Sequence, residues 1–71
     1  MICSKWIEDE DIIKFGARFK EKFPDGYPES QINVDRKDDR VEWIAENRWG
    51  NKAVLATLIK NEQGELVFTT I

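Results

Sequence analysis

The sequence predicts an α+β fold, with one N-terminal helix packed on a four-stranded antiparallel β-meander in two layers. Apolar residues recur at helical spacing only over 8–23. From residue 31 onward they recur at every second position, and three short turn signals divide that stretch into four strands. The 71 residues fit a single domain, 1–71, whose core is thin because a chain this short buries only about 60% of its surface.

Residues 1–7 alternate without a clear pattern and suit either a short edge strand or an extended lead. Trp6 and Ile7 are placed to staple the helix start onto the sheet. In the helix, Ile12, Phe15, Gly16, Phe19 and Phe23 fall at i, i+3, i+4, i+7 and i+11, which draws one apolar stripe. Glu8-Asp9-Glu10-Asp11 opens the helix, with Asp9 as its expected N-cap. Arg18, Lys20 and Lys22 close it, so the charges complement the helix dipole. Gly16 costs about 1 kcal/mol against alanine in mid-helix and reads as a point of close approach to the sheet. Pro24 stops the helix, and two prolines among residues 24–28 leave 24–30 as a loop.

Four strands are expected at 31–37, 40–49, 52–61 and 65–71. Asp38-Asp39 is the first turn. Gly50-Asn51 suits a two-residue II′ hairpin loop, and Asn61-Glu62-Gln63-Gly64 suits a type I turn with Gly64 left-handed. These loops set Val34, Trp43, Leu58 and Phe68 in one lateral row and Ile32, Ala45, Ala56 and Thr70 in the next, whereas a four-residue last loop would set Val67 beside Leu58. Both rows share one apolar face, on which the helix settles over the two alanines.

The same register puts Asn33, Asp35, Glu42, Ile44, Glu46, Leu55, Thr57, Ile59, Val67, Thr69 and Ile71 on the opposite face. That face is acidic on the first two strands and apolar on the last two. A single helix leaves it uncovered, except for what the stems of Arg48 and Lys60 and the N-terminal segment shield. An apolar patch rimmed by carboxylates has the look of a protein-binding surface.

Composition narrows the chemistry. The chain has no histidine and one cysteine, which excludes a disulfide scaffold, an ordinary zinc site and any imidazole mechanism. Cys3 therefore reads as a small semi-buried thiol. The four glycines are scattered, so no loop cradles a phosphate. The four acids at 8–11 point in different directions and lack the interspersed Gly and Asx of a calcium loop. No cofactor or metal is expected, and nothing marks an enzyme. No apolar run approaches the roughly 20 residues of a membrane span, and the N-terminus lacks a signal peptide's apolar core. A cytoplasmic protein is expected, in the host cytoplasm if phage-encoded.

Eleven Lys and Arg stand against fourteen Asp and Glu, a net charge of −3. The expected function is that of a small acidic, non-enzymatic protein-binding module. Its size and acidity are similar to those of small inhibitors of nucleic-acid-handling machinery, phage anti-CRISPR proteins among them. The likeness is one of type and rests on no motif. It implies a phage or mobile-element inhibitor that acts as a DNA mimic and occludes a basic surface of its target. The candidate partner-binding residues are Asp35, Asp38, Asp39, Glu42, Ile44, Glu46, Leu55 and Ile59. One alternative is a nucleic-acid-binding domain using Arg36, Lys37, Arg40, Arg48 and Lys52. It is disfavoured because residues 31–71 hold six basic and seven acidic side chains. The other is a self-associating structural protein, for which a homodimer is the simplest form.

Overall fold

The computed structural model describes residues 3–71. A 3-10 turn, Ser4–Trp6, leads into helix α1, Asp9–Lys22. Strands β1 (Ser30–Arg36), β2 (Val41–Asn47), β3 (Lys52–Lys60) and β4 (Leu66–Thr70) follow, hydrogen-bonded in the order β1-β2-β3-β4 with every pair antiparallel. The architecture is the expected helix on a four-stranded meander.

The helix begins one residue later than its acidic run. Glu8, not Asp9, is the N-cap, and its N–H donates to Asp11 Oδ2 at 3.1 Å. Ile7, just before the cap, is buried in the core, and Ile12 packs against that core. They are the two positions of a hydrophobic staple. Trp6, the other expected staple, is exposed. The lead is not an edge strand. The Ser4 N–H donates to the Asp38 carbonyl at 2.9 Å, and the Ser4 hydroxyl donates to the Lys37 carbonyl. Met1 and Ile2 lie outside the described residues.

Two hairpin loops share one construction. In each, an asparagine Oδ1 accepts two backbone N–H bonds and a glycine three residues on is left-handed. Asn47 accepts from Trp49 and Asn51, with Gly50 at φ 81°. Asn61 accepts from Gln63 and Glu65, with Gly64 at φ 80°. Glycine carries no Cβ penalty there. The second loop is the expected type I turn with its bulge. The first is the same turn over Asn47-Arg48-Trp49-Gly50, not a II′ loop at Gly50-Asn51.

That difference moves the register between β2 and β3. Val34 does pair with Trp43, and Leu58 with Phe68, as expected. Trp43, however, pairs with Ala56 rather than Leu58, and Ala45 pairs with Ala53 rather than Ala56. The slip is two residues at Trp43, which keeps the inner face there, and three at Ala45. A bulge then falls between the Trp43–Ala56 and Ile44–Val54 pairs, leaving Leu55 without a register partner. Leu55 and the adjacent Ala56 are both buried in the core.

The core joins Ile7, Phe15, Phe19, Val41, Trp43, Ala45, Leu55, Ala56 and Leu58. Its aromatic centre runs from the helix to the sheet. Phe19 stacks on Trp43 at 6.1 Å, Trp43 meets Phe68 edge-on at 5.4 Å, and Phe15 lies 5.3 Å from Phe68. These contacts hold the helix over β2–β4. A helix is about 10–12 Å across with its side chains, while four strands spaced about 4.8 Å apart put the outer two some 14 Å apart. One helix cannot span them all, and β1 is the strand left out. Val34, on the inner face of β1, is 51% exposed.

Candidate functional surfaces

The fold gathers charge at one end of the molecule. The helix starts at the end of the sheet that also carries the β1–β2 and β3–β4 loops. Four contacts tie these parts together. Arg36 reaches Asp9 at 3.5 Å and also donates to the carbonyls of Ser4 and Ile7, and Lys60 Nζ donates to the Trp6 carbonyl at 3.1 Å. Acidic runs far apart in sequence are thereby brought together. Among the described residues, Glu8, Asp9, Glu10, Asp11, Asp35, Asp38, Asp39, Glu42, Glu62 and Glu65 lie on the elements and loops of this end with Lys5, Arg36, Lys37, Arg40 and Lys60, while Lys14 lies midway along α1. Ten carboxylates against five cations leave it strongly negative. The far end holds Arg18, Lys20, Lys22, Arg48 and Lys52 against Glu21, Asp25, Glu29 and Glu46, and is close to neutral.

The expected partner-binding residues divide in this frame. Asp35 is ion-paired with Lys37 at 2.8 Å, and that ammonium holds its carboxyl below the usual carboxylate range. The same pairing raises the Lys37 ammonium. Asp39 and Glu42 both bind Arg40, at 2.6 and 2.9 Å, and Glu42 is only 6% exposed. These three acids are largely neutralised within the chain. Among the described residues, Asp38, Glu10 and Glu65 have no ionic partner for their side chains. Glu46 lies at the other end, opposite Lys52 in the β2–β3 register. No three acidic or thiol side chains converge as metal ligands among the described residues.

Leu55 is corrected outright. At 0% exposed it belongs to the core, because the bulge turns it inward. Val54, which pairs with Ile44 and is 43% exposed, takes its place on the outer face. Ile44 and Ile59 are half-buried there, with Val67 exposed beside them. Neither long cation covers this patch as expected. Arg48 stacks over Trp49 at 4.6 Å, and Lys60 is drawn to the Trp6 carbonyl.

Sequence reasoning missed two features. One is an apolar groove of about 830 Å³ between α1 and the open inner face of β1, lined by Ile12, Ile13, Gly16, Phe23, Ile32 and Val34 among others. The signal for it was the width mismatch between one helix and four strands. The other is Trp49, 63% exposed at the tip of the β2–β3 hairpin. The asparagine-glycine turn signature places it there. No helix is long and apolar enough to cross a membrane among the described residues. In comparisons with known proteins, no family model, curated protein or solved structure matches the chain.

Proposed function

We propose that this protein is a small acidic, non-enzymatic protein-binding module. It docks its acidic end on a basic, nucleic-acid-binding surface of a target and occludes it, in the manner of phage or mobile-element inhibitors of the anti-CRISPR or similar anti-defence type. The observation that carries the reading is the charge asymmetry among the described residues: ten carboxylates and five cations on the elements and loops of one end, in a chain whose net charge is only −3. A one-sided field of that sign steers the end toward a cationic surface and competes there with phosphate. The apolar outer patch of Ile44, Val54, Ile59 and Val67 adjoins that end and supplies area to bury. The inhibitor part of the reading is supported by size and acidity.

Triple replacement Glu10→Gln, Asp38→Asn, Glu65→Gln tests the proposal, since these side chains have no ionic partner among the described residues and the fold does not depend on them. A target isolated with the wild-type protein should bind the triple variant at least tenfold more weakly, and its affinity for the wild type should fall as salt rises. A target that binds both equally, at all salt concentrations, would overturn it.

A second reading has one observation in its favour. Trp49 is exposed and stacked by Arg48, with Lys52 close by in the same hairpin, and aromatic platforms flanked by cations bind single-stranded nucleic acid. It predicts retention of single-stranded DNA or RNA, abolished by Trp49→Ala, where the occlusion reading predicts no retention.

A further inference from the structure

We infer that the free edge of β1 pairs with the same edge of a second copy, antiparallel, with Ile32 set against Val34 of that copy, so that two four-stranded sheets become one. The Lys37 N–H donates to the Arg40 carbonyl at 2.7 Å across the β1–β2 hairpin. By the alternation of an antiparallel ladder, the amides of Ile32, Val34 and Arg36 then point away from β2, toward the open edge. Edge strands ordinarily carry a proline, a bulge or an inward-pointing charge that blocks pairing. The middle of β1, Gln31-Ile32-Asn33-Val34, carries none of these; on its inner face Ile32 is half-buried and Val34 exposed, and the one inward charge, Arg36 at the strand's end, is held by Asp9 and the carbonyls of Ser4 and Ile7.

Charge selects the register. With Asn33 at a two-fold axis, all seven residues of β1 pair: Ile32 with Val34, Gln31 with Asp35 and Ser30 with Arg36. Glu29, a left-handed turn residue at φ 56° just before the strand, lies beyond the paired backbone at the end of the ladder nearest Lys37, whose ammonium also holds Asp35. Apolar faces apolar, and the charges that meet are opposite. A shift of two residues in one direction sets Glu29 against Asp35. A shift of two in the other sets Ile32 against Arg36 and Glu29 against Asp39, and either shift leaves only five pairs. A shift of one turns the apolar side chains to the opposite face. Strand β4, the other edge, carries no charge over Leu66–Thr70 and has nothing to choose a register. The interface is isologous, as a closed dimer requires. The two grooves beside the helices join into one trough floored by Ile32 and Val34 of both copies.

Sedimentation velocity on the full chain, from micromolar to millimolar concentration, tests the inference. A species of twice 8.3 kDa should form with rising concentration. Val34→Lys, which puts a charge on an exposed edge position, should sediment as a monomer while keeping the wild-type circular dichroism and melting temperature. Glu29→Lys and Lys37→Glu should each weaken association about tenfold, because symmetry repeats the contact twice, and the double reversal should restore it. A monomer at every concentration, a dimer that survives Val34→Lys, or a double reversal that stays weak would overturn it. Lys37→Glu also alters the acidic end, where Lys37 is ion-paired with Asp35, whereas Val34→Lys and Glu29→Lys lie outside it, and those two variants let occlusion and self-pairing stand or fall separately.

Discussion

Replacing Gly16 with alanine should stabilise the protein. A glycine on the apolar stripe invites the reading that the helix touches the sheet there and leaves no room for a side chain. The structure says otherwise. A Cβ built at Gly16 finds its nearest neighbour, Trp43 Nε1, at 4.0 Å, an ordinary van der Waals distance. Gly16 lies inside α1, where alanine is favoured by about 0.8–1.0 kcal/mol. The added methyl is half-buried against the indole, so it contributes part of the roughly 0.8 kcal/mol of a fully buried carbon. Together these give a gain of about 1 kcal/mol. For a domain of this size that corresponds to a rise in melting temperature of about 4–8 °C. Urea unfolding followed by tryptophan fluorescence is the assay, because Trp43 is buried whereas Trp6 and Trp49 are largely exposed. With a denaturant slope near 1 kcal/mol/M, the midpoint should rise by about 1 M. An unchanged or lower midpoint would mean that α1 lies too close to β2 at Gly16 to admit a methyl group.

Other expectations follow from the same geometry. Trp43→Ala removes the ring shared by Phe19 and Phe68 and should cost about 3–5 kcal/mol by chemical denaturation, enough to unfold much of a domain whose total stability is of order 4–11 kcal/mol. Asn47→Ala and Asn61→Ala each leave two turn amides without their side-chain acceptor and should cost about 1 kcal/mol apiece. Equal losses at the two sites would bear out their shared construction. The Asp35 carboxyl should titrate below the usual carboxylate value by NMR and return toward it in Lys37→Met. Because its pKa is lowered in the folded state, its contribution is present at neutral pH and is lost as pH falls through the carboxylate range. The raised Lys37 ammonium contributes below its ordinary pKa and loses that contribution as pH rises through the raised value.

Most of the fold is legible in the residues, and the reasons are specific. Asp38-Asp39 is a two-residue turn, so the β1–β2 register follows by counting; Asn61-Glu62-Gln63-Gly64 admits a three- or a four-residue loop, and the observed pairing of Leu58 with Phe68 is that of the three-residue loop. The β2–β3 register does not follow by counting, because Gly50-Asn51 competes with Asn47-Arg48-Trp49-Gly50 for the turn. The bulge at Leu55 is hidden for a different reason. Ala53-Val54-Leu55-Ala56 is an unbroken apolar run, and a run without alternation carries no phase, so it cannot show where one residue slips. The acidic end was hidden because its parts have separate local meanings. Glu8–Asp11 complements the helix dipole, and Asp35–Glu42 reads as a strand face. Only the tertiary contacts of Arg36, Ser4 and Lys60 bring the two together.

Occlusion makes a demand that binding alone does not: the target cannot hold this protein and nucleic acid at once. The direct measurement is a competition titration, in which nucleic acid of increasing concentration is added to the complex of a captured target with the labelled protein. Occlusion requires full displacement, with the apparent affinity of the protein falling in proportion to free nucleic acid. A ternary complex, in which both ligands stay bound at saturation, would contradict it.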